Sequence, residues 1–184
     1  MARKCTIKEI NQQDAKVFLN YNHIQGYGKC SLSLGCFYNC RLVGVMSFLD
    51  KKNGNYQLIR FATDNTFITQ GIGGKLFKYF IKKYNPNIIK TFADRRWTLS
   101  KEDNLYTKIG FKLDKVLKPD YRYVNPDHPT ERIHKFNFRK RSVHRKYRLP
   151  MSMSETQMAK EIGLYKIWDC GLLRYIWTKE NRAQ

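Results

Sequence analysis

The stretch from residue 58 to residue 111 constrains the fold more than any other part of this sequence. Residues 58–63 are apolar and β-prone apart from Arg60, and a glycine turn follows at residues 70–75. Apolar side chains then recur at helical spacing, at Leu76, Phe77, Phe80 and Ile81. A strand, a glycine turn and a helix in this order direct backbone N–H groups and the positive end of a helix dipole towards an anion.

The turn itself predicts a pyrophosphate site, with Gln70, Gly71, Ile72, Gly73, Gly74 and Lys75 as its members. We expect the glycine amides to bind the phosphates and Lys75 to add positive charge. The alternative is a turn that only lets the strand and the helix pack closely. It is not a Walker A loop, because Leu76 follows Lys75, and it lacks the third glycine of a dinucleotide fingerprint.

A second motif follows at the end of this stretch. Residues 88–93 predict another buried strand, and a helix after it ends with Leu105-Tyr106-Thr107-Lys108-Ile109-Gly110-Phe111. Together the two motifs resemble those of the GNAT acyltransferase family. That family commonly shows Arg/Gln-x-x-Gln-Gly-x-Gly before one helix and Leu-Tyr-x-Lys-x-Gly-Phe after the next strand. Ile68 stands here where the family has Arg or Gln.

The resemblance implies both a fold and a cofactor. The fold is α/β (α+β), with a central mixed, mostly antiparallel twisted sheet, split between two central strands, flanked by helices and followed by a basic C-terminal extension. The implied cofactor is acetyl-CoA or another acyl-CoA. Tyr106 would protonate the leaving thiolate, and Asn104 would contact the pantetheine. The alternatives are a half-buried helical tyrosine that packs on the sheet and a helix cap at Asn104.

The family assigns no general base, so the candidates come from local position. His23, Asp64 and Asp94 lie on elements expected to border the acceptor side. Asp94 directly follows a predicted strand, a common place for site residues in open α/β sheets. Its alternative role is to cap a turn or to pair with Arg95 or Arg96.

The charge of the chain points to a polyanionic partner. Thirty-five Lys and Arg against 15 Asp and Glu give a formal charge of +20. Such a charge costs self-repulsion unless a partner neutralises it, so we predict nucleic acid, with DNA favoured. A basic protein without such a partner is the alternative. We expect no membrane partner, because no basic amphipathic helix stands out; a protein partner stays open, and the oligomeric state is not indicated.

Residues 132–148 carry the densest part of this charge, with eight Lys or Arg and no acid. Their alternating pattern predicts a strand that runs into a basic loop, with aromatic side chains interleaved. The nucleic-acid-binding residues predicted from this pattern are Arg95, Arg96, Arg132, Lys135, Arg139, Lys140, Arg141, Arg145, Lys146 and Arg148. The alternative is a solvated charge run whose aromatic residues face the core.

The remaining sequence predicts one domain, with a core at residues 1–131 and a basic extension at residues 132–184. We expect a helix at 15–22 capped by Asp14, a break at 125–129, a helix at 155–162 begun by Ser154, and an aromatic hairpin at 164–177. The five cysteines are odd in number and lack zinc spacing, which predicts reduced thiols and no metal. No apolar run reaches the roughly 20 residues of a membrane span, and we expect a cytoplasmic protein.

A wider and less specific resemblance covers most of the chain. The segments at residues 23–26, 94–97, 139–141 and 168–171 look like a phage-borne GNAT-like group. That group occurs alone or with homing-endonuclease-type proteins and is similar in outline to Mom-type DNA modification proteins. It implies a phage-encoded protein and a link to DNA.

The leading hypothesis is therefore an acyl-CoA-dependent N-acyltransferase that acts on a nucleic-acid amine, with a DNA base as the specific candidate. One alternative is a catalytically inactive GNAT-fold module that binds DNA or a partner. The other is an N-acetyltransferase for a protein or a small molecule.

Overall fold

The computed structural model describes residues 2–66 and 70–180, so Ile68 lies outside the described residues. The strands are β1 Thr6–Ile10, β2 Leu32–Tyr38, β3 Arg41–Asp50, β4 Asn55–Thr63, β5 Ile88–Asp94, β6 Lys112–Val116, β7 Tyr121–Asn125, β8 His128–His134, β9 Tyr165–Trp168 and β10 Leu172–Thr178. The α-helices are α1 Gln12–Asn22, α2 Ile72–Tyr84, α3 Leu105–Lys108, α4 Lys140–Tyr147 and α5 Glu155–Glu161. Short 3₁₀ helices span Ala2–Lys4 and Lys135–Phe138.

The chain divides into two compact units. The first contains the described residues up to Val116 and from Leu173 onward, and the second, here called the insert, is Leu117–Leu172. The insert therefore lies between β6 and β10 in the sequence. This division differs from the boundary predicted at residues 131 and 132, because β7 and β8 belong to the same unit as the basic segment.

The first unit is built on a seven-stranded sheet in the order β1-β2-β3-β4-β5-β10-β6. Its β1–β2, β2–β3, β3–β4 and β10–β6 pairs are antiparallel, whereas β4 and β5 are parallel. Asn39 and Cys40, with φ of 47° and 63°, form the two-residue turn of the β2–β3 hairpin. The predicted α+β class, with a mostly antiparallel sheet flanked by helices, is confirmed.

The sheet opens between β4 and β5. The ladder between these strands joins residues 55–57 to residues 88–90, and the Thr91 hydroxyl donates a 3.2 Å hydrogen bond to the Leu58 carbonyl. Among the described residues, β4 and β5 form no further backbone pairs beyond that point. A bulge at Ile59, where Ser47 pairs with Arg60 but Phe48 with Leu58, bends β4 at the same place. The space between the two strands past Leu58 and Thr91 is called the strand opening below.

Helix α2 covers the main core of this unit. Leu76, Phe77, Phe80 and Ile81, the apolar residues noted in the sequence, are all buried in one cluster with side chains from β2 to β5 and β10. Phe80 stacks on Phe48 with ring centroids 3.6 Å apart. Helix α1 lies over a second cluster. It begins earlier than predicted, because Asn11 rather than Asp14 is its N-cap and accepts the Asp14 N–H at 2.8 Å.

The insert has a core of its own, built from β7, β8 and β9, the 3₁₀ turn Lys135–Phe138, and helices α4 and α5. Its buried side chains include Tyr123, Phe138, Val143 and Met158. The Tyr123 hydroxyl donates a 2.8 Å hydrogen bond to Glu155 of α5. Helix α5 agrees with the prediction, since Ser154 and Gln157 form a capping box.

The predicted break at residues 125–129 is present but shorter, because β7 ends at Asn125, Pro126 and Asp127 form a turn, and β8 begins at His128. Pro129 lies within β8, an edge strand in which proline is tolerated. Two other sequence predictions in this region are wrong. The basic segment is not a strand and loop: β8 ends at His134, and helix α4 follows at Lys140. Burial of Phe138 and Val143 against α5 and β7 outweighs the weak alternation of the sequence.

The predicted aromatic hairpin at residues 164–177 also does not form. β9 pairs with β7 in the insert, whereas β10 pairs with β6 in the large sheet. Between them, Gly171 has a φ of 80°, and an added Cβ would lie 2.5 Å from the Leu117 carbonyl oxygen. The Asp169 carboxylate accepts the N–H groups of Asp120 and Gly171, which holds this crossing from one sheet to the other.

Candidate active site

The glycine turn leads directly into helix α2, as the sequence predicts. Gly71 is the N-cap residue with φ 83° and makes no side-chain cap hydrogen bond. The first turn of the helix contains no acid, and within the described residues its N–H groups have no side-chain acceptor. This end of α2 therefore has the free backbone donors and the partial positive charge that an anion requires.

Gly73 and Gly74 differ in their surroundings. A Cβ on Gly73 would lie 3.0 Å from Leu105 and 3.1 Å from Phe61, so this glycine allows α2, α3 and β4 to approach closely. A Cβ on Gly74 would meet no heavy atom within 4 Å. Close packing thus explains why residue 73 is a glycine, but it does not explain why residue 74 is one.

Lys75 has partners that the sequence did not reveal. Its ammonium donates to the carbonyl of Ala2 at 2.7 Å, to that of Arg3 at 3.3 Å and to that of Cys5. Three acceptors match the three donors of an ammonium group. A direct contact between Lys75 and a phosphate would require these hydrogen bonds to break.

Tyr106 lies in the strand opening. Its hydroxyl is hydrogen-bonded with Thr91 of β5, and Arg60 of β4 is near enough to affect its titration. Burial raises the pKa of Tyr106, the Thr91 hydrogen bond and the Arg60 charge oppose that rise, and Tyr175 adds to it. The net direction is upward, so the phenol carries its proton at neutral pH.

Asn104 is the N-cap of α3. Its side-chain oxygen accepts the N–H groups of Tyr106 and Thr107, and Thr107 returns the second bond of a capping box. Its amide nitrogen donates to the Ser100 and Lys101 carbonyls and, at 2.7 Å, to the Tyr175 hydroxyl. The capping alternative accounts for the contacts of the oxygen, and the loop carbonyls and Tyr175 occupy the amide donors, so no donor of Asn104 is left for a pantetheine.

Arg60 is the site residue that sequence reasoning missed. Its guanidinium donates to the Gly26 carbonyl at 3.0 Å and to the Ile59 carbonyl at 2.9 Å, which holds the loop after α1 against β4. The only sequence signal was a cation within an apolar strand. Its position between the α1 loop and Tyr106 depends on the bulge in β4.

His23 ends helix α1 and lies close to Arg60. Burial first, and then the Arg60 charge, lower the pKa of His23 from 6.5 to about 4. Its Nδ1 accepts the Gln25 N–H at 3.0 Å, which leaves the proton of the neutral ring on Nε2. A histidine in this state is a poor proton acceptor, so the geometry does not favour His23 as the base.

The two aspartates also have structural partners. Asp94 ends β5 and accepts the Arg96 N–H at 2.8 Å, so it stabilises the turn there. Asp64 forms a 2.7 Å ion pair with Arg41 and accepts from Thr66; the Thr66 hydrogen bonds are the main cause that lowers the pKa of Asp64. Neither carboxylate is connected to Tyr106 by a hydrogen bond that the structure describes.

A cavity of about 390 Å³ lies at the paired end of β4 and β5, away from these residues. Its lining includes Lys51, Gln57, Lys90 and Phe92 and none of the predicted site residues. The chemistry-bearing residues therefore gather at the strand opening and not in this cavity.

The predicted nucleic-acid residues fall in both units. Arg95 and Arg96 are exposed just after β5 in the first unit. In the insert, Arg132, Arg139, Arg141, Arg145, Lys146 and Arg148 are exposed, whereas Lys135 and Lys140 are half-buried. Lys135 is also engaged, because it pairs with Asp120 at 2.6 Å.

Two further expectations concern metals and membranes. Within residues 2–66 and 70–180, no three His, Cys, Asp or Glu side chains are grouped as metal ligands would be. In the same residues, no helix has the length and apolarity that a membrane crossing needs.

Solved structures with the same fold are acetyltransferases. A GNAT family acetyltransferase from Elizabethkingia anophelis with acetyl-CoA bound matches with a TM-score of 0.54 and 16% identity, over 95% of this chain and 98% of that chain. The ribosomal-protein-S18-alanine N-acetyltransferase of Escherichia coli matches with a TM-score of 0.58 and 12% identity, over 95% and 93%. A Bacillus subtilis acetyltransferase in complex with CoA matches with a TM-score of 0.54 and 12% identity, over 95% and 97%.

The chain therefore has the GNAT fold, and the strand opening occupies the place between two central strands that the sequence resemblance implied. No family model matches the sequence, and no curated protein sequence matches it. The narrower resemblance to phage-borne, Mom-like and homing-endonuclease-associated proteins stays a prediction.

Proposed function

We propose that this chain is an acyl-CoA-dependent N-acyltransferase. The observation that carries the proposal is Tyr106, a protonated phenol in the strand opening, close to the uncapped first turn of α2 through the contact of neighbouring Leu105 with Gly73. The structural neighbours solved with acetyl-CoA or CoA support the same cofactor here.

The residues of the glycine turn fit a pyrophosphate. The backbone N–H groups of Ile72, Gly73 and Gly74 would donate to it, and the open space at Gly74 leaves room for it. Lys75 would act by its charge alone, since its ammonium is engaged with backbone carbonyls. When bound, the cofactor supplies a thioester that an amine can attack.

Tyr106 would serve as the general acid. It can donate its proton to the departing sulfur, because the net upward direction of its pKa keeps the phenol neutral at pH 7. Backbone N–H groups of β4 beyond the bulge would stabilise the negative charge that develops on the acyl oxygen. With His23, Asp64 and Asp94 all otherwise engaged, the attacking amine would have to arrive neutral or lose its proton to water.

The acceptor in this proposal is an amine on nucleic acid, with a base in DNA as the specific candidate. The formal charge of +20 and the acid-free segment 132–148 support a polyanionic acceptor. A base within a duplex would have to be flipped out, or presented in a single strand, before its amine could enter the strand opening.

The test has two stages with the full chain. Calorimetric titration with acetyl-CoA measures cofactor binding, and radiolabelled acetyl-CoA is then incubated with DNA, RNA or a lysine-containing peptide. Label in DNA, assigned to a nucleoside after digestion and mass analysis, is the expected result. Absence of acetyl-CoA binding by a folded protein would overturn the proposal.

One specific observation favours a second function, a binding module without turnover. The three base candidates and Lys75 are all held by structural hydrogen bonds. Such a module would bind nucleic acid and show no acetyl transfer to any acceptor. Transfer to the peptide instead of DNA would support the alternative of an N-acetyltransferase for a protein.

A further inference from the structure

The insert carries a column of three flat, exposed side chains that the proposed acyl transfer does not use. The rings of His134 and Phe136 stack with centroids 4.9 Å apart and planes inclined by 11°. The guanidinium carbon of Arg139 lies 4.5 Å from the Phe136 ring centroid. Phe136 is 56% exposed, whereas nearby Phe138 is buried in the core of the insert. Core packing therefore does not explain why Phe136 is aromatic.

The column starts at His134, the last residue of β8, on the outer face of the three-stranded sheet. His134 is the register partner of Arg122, and the next pair along, Tyr123 and Ile133, packs into the core of the insert. Because neighbouring side chains on a strand point to opposite faces, His134 and Arg122 point away from that core. A further exposed cation therefore lies beside the column.

Helix α4 continues the positive surface. Arg141 and Arg145 are four residues apart, which places them on one face of the helix, and the exposed Arg148 follows as its C-cap residue. Val143, the buried residue of α4, lies two positions from Arg141 and Arg145, about 200° around the axis. Arg145 and Arg148 lie at the C-terminal end of α4, where the helix dipole favours cations, whereas Arg141 lies in the first turn, where it does not.

Few negative charges interrupt this surface. Residues 132–148 contain no acid, and the nearby Asp120 carboxylate is paired with Lys135 at 2.6 Å. A row of arginines complements a phosphate backbone, and stacked aromatic and guanidinium groups complement the flat face of a base. A membrane surface would use the charge but would not need a column of parallel flat groups.

We propose that this surface binds a single-stranded segment of nucleic acid, in which an unpaired base extends the His134–Phe136–Arg139 column and Arg141, Arg145 and Arg148 neutralise phosphates. A duplex keeps its bases stacked on each other, so it offers the surface only its phosphates. The inference rests on the nucleic-acid part of the proposed function and narrows it to unpaired strands.

The test is fluorescence anisotropy of the full chain with a labelled DNA oligonucleotide of mixed sequence, the matching RNA, and the duplex. We expect tighter binding to a single strand than to the duplex at equal salt. Phe136→Ala should weaken single-strand binding by about 5-fold or more and leave duplex binding unchanged, because the central ring that holds His134 and Arg139 in place for the base is lost. Phe136→Trp is the matched control and should retain single-strand binding.

A variant of one arginine distinguishes the contribution of the phosphate-binding arginines from that of the stacking column. Arg145→Gln should weaken single-strand and duplex binding alike and reduce the slope of log affinity against log salt by about one. His134→Ala is a second variant of the column, in case Phe136→Ala lowers the melting temperature. Tighter binding of the DNA strand or of the RNA strand shows which of the two nucleic acids the surface prefers.

The outcomes distinguish this inference from the proposed function. Equal affinity for single strand and duplex, with no effect of Phe136→Ala or His134→Ala, overturns the stacking site but leaves a nucleic-acid partner. Absence of binding to all three oligonucleotides overturns the site and the nucleic-acid acceptor together. The acetyl-CoA titration tests the acyltransferase assignment separately, since its predicted residues lie in the first unit. Binding to anionic vesicles alone also overturns the inference.

Discussion

Tyr106 stacks on Tyr175 with ring centroids 5.3 Å apart and planes inclined by 27°. The Tyr175 hydroxyl accepts from Asn104 at 2.7 Å and donates to the Lys101 carbonyl at 2.9 Å, so its ring is fixed at the far end. The ring of Tyr106, proposed as the acid, therefore packs against Tyr175 of β10. Asn104, the N-cap of α3, holds Tyr175 in place through its hydrogen bond.

Tyr106→Phe should lower kcat by about 100-fold or more while the KM for acetyl-CoA changes little, because the proton donor is lost and the stacking ring is kept. Steady-state release of free thiol measures this. Tyr175→Phe is the control, since it keeps both rings but loses two hydrogen bonds of the support. An unchanged kcat in Tyr106→Phe would rule out the acid role.

Asn104→Ala should reduce the free energy of unfolding by about 1 kcal/mol, because the N-cap of α3 is lost. Asn104→Ser keeps a cap acceptor and should recover most of that stability. Thermal unfolding and acetyl-CoA titration are measured on both variants. A pantetheine contact predicts the opposite pattern, with cofactor affinity lost in Asn104→Ser although the protein is stable.

Gly74→Asp and Gly74→Ala test the anion site at the start of α2. Alanine should stabilise the helix by about 0.5–1 kcal/mol and retain acetyl-CoA binding, because its Cβ points into open space. Aspartate should also stabilise the helix terminus but repel the pyrophosphate, weakening binding by roughly tenfold or more. Equal calorimetric affinity in the two variants would show that the turn is structural only.

Arg60→Gln should raise the pKa of His23 above 4 while keeping it below 6.5. Two causes lower the pKa of His23, and the charge of Arg60 is the smaller. The variant removes that charge, whereas burial, the larger cause, remains. The same variant should raise the pKa of Tyr106, because the Arg60 charge lowers it in the native protein. NMR titration of the histidine ring and the basic limb of the pH–rate profile measure the two effects; a His23 pKa that stays near 4 would contradict the first.

His23 should make the stability of the protein depend on pH in a defined window. Its folded pKa of about 4 lies below the ordinary 6.5, so its contribution is complete above pH 6.5 and is lost as pH falls towards 4. Because the ring is only half-buried, solvent screening makes the loss smaller than the roughly 3 kcal/mol that the full shift would give. His23→Asn keeps an acceptor for the Gln25 N–H, and chemical unfolding of both proteins should show a smaller loss in the variant between pH 6.5 and 4.

Local rules predicted much of the fold and the position of several candidate site residues in it. The glycine turn, helix α2, the cap of α5 and the place of Tyr106 follow from residues that are neighbours in sequence, where conformational preference and periodicity apply. In the basic segment, the sequence carries both an alternation of polar and apolar residues, which favours a strand, and a weak helical spacing. Neither pattern outweighs the other locally, so the sequence predicted a strand where the structure has a helix. Only burial of Phe138 and Val143 against other elements decides between the two.

The sequence by itself determined an α+β chain with a glycine turn at the start of a helix and a tyrosine motif after the next strand. The tertiary structure alone decided that β10 returns beside β5 and that β9 stays in the insert. It also decided that Arg60 lies near enough to Tyr106 and His23 to shift their pKa values, and that Lys75 is held by backbone carbonyls. These outcomes depend on pairings between residues far apart in the chain, and no local pattern encodes such pairings because their free energy arises only when the distant partners meet.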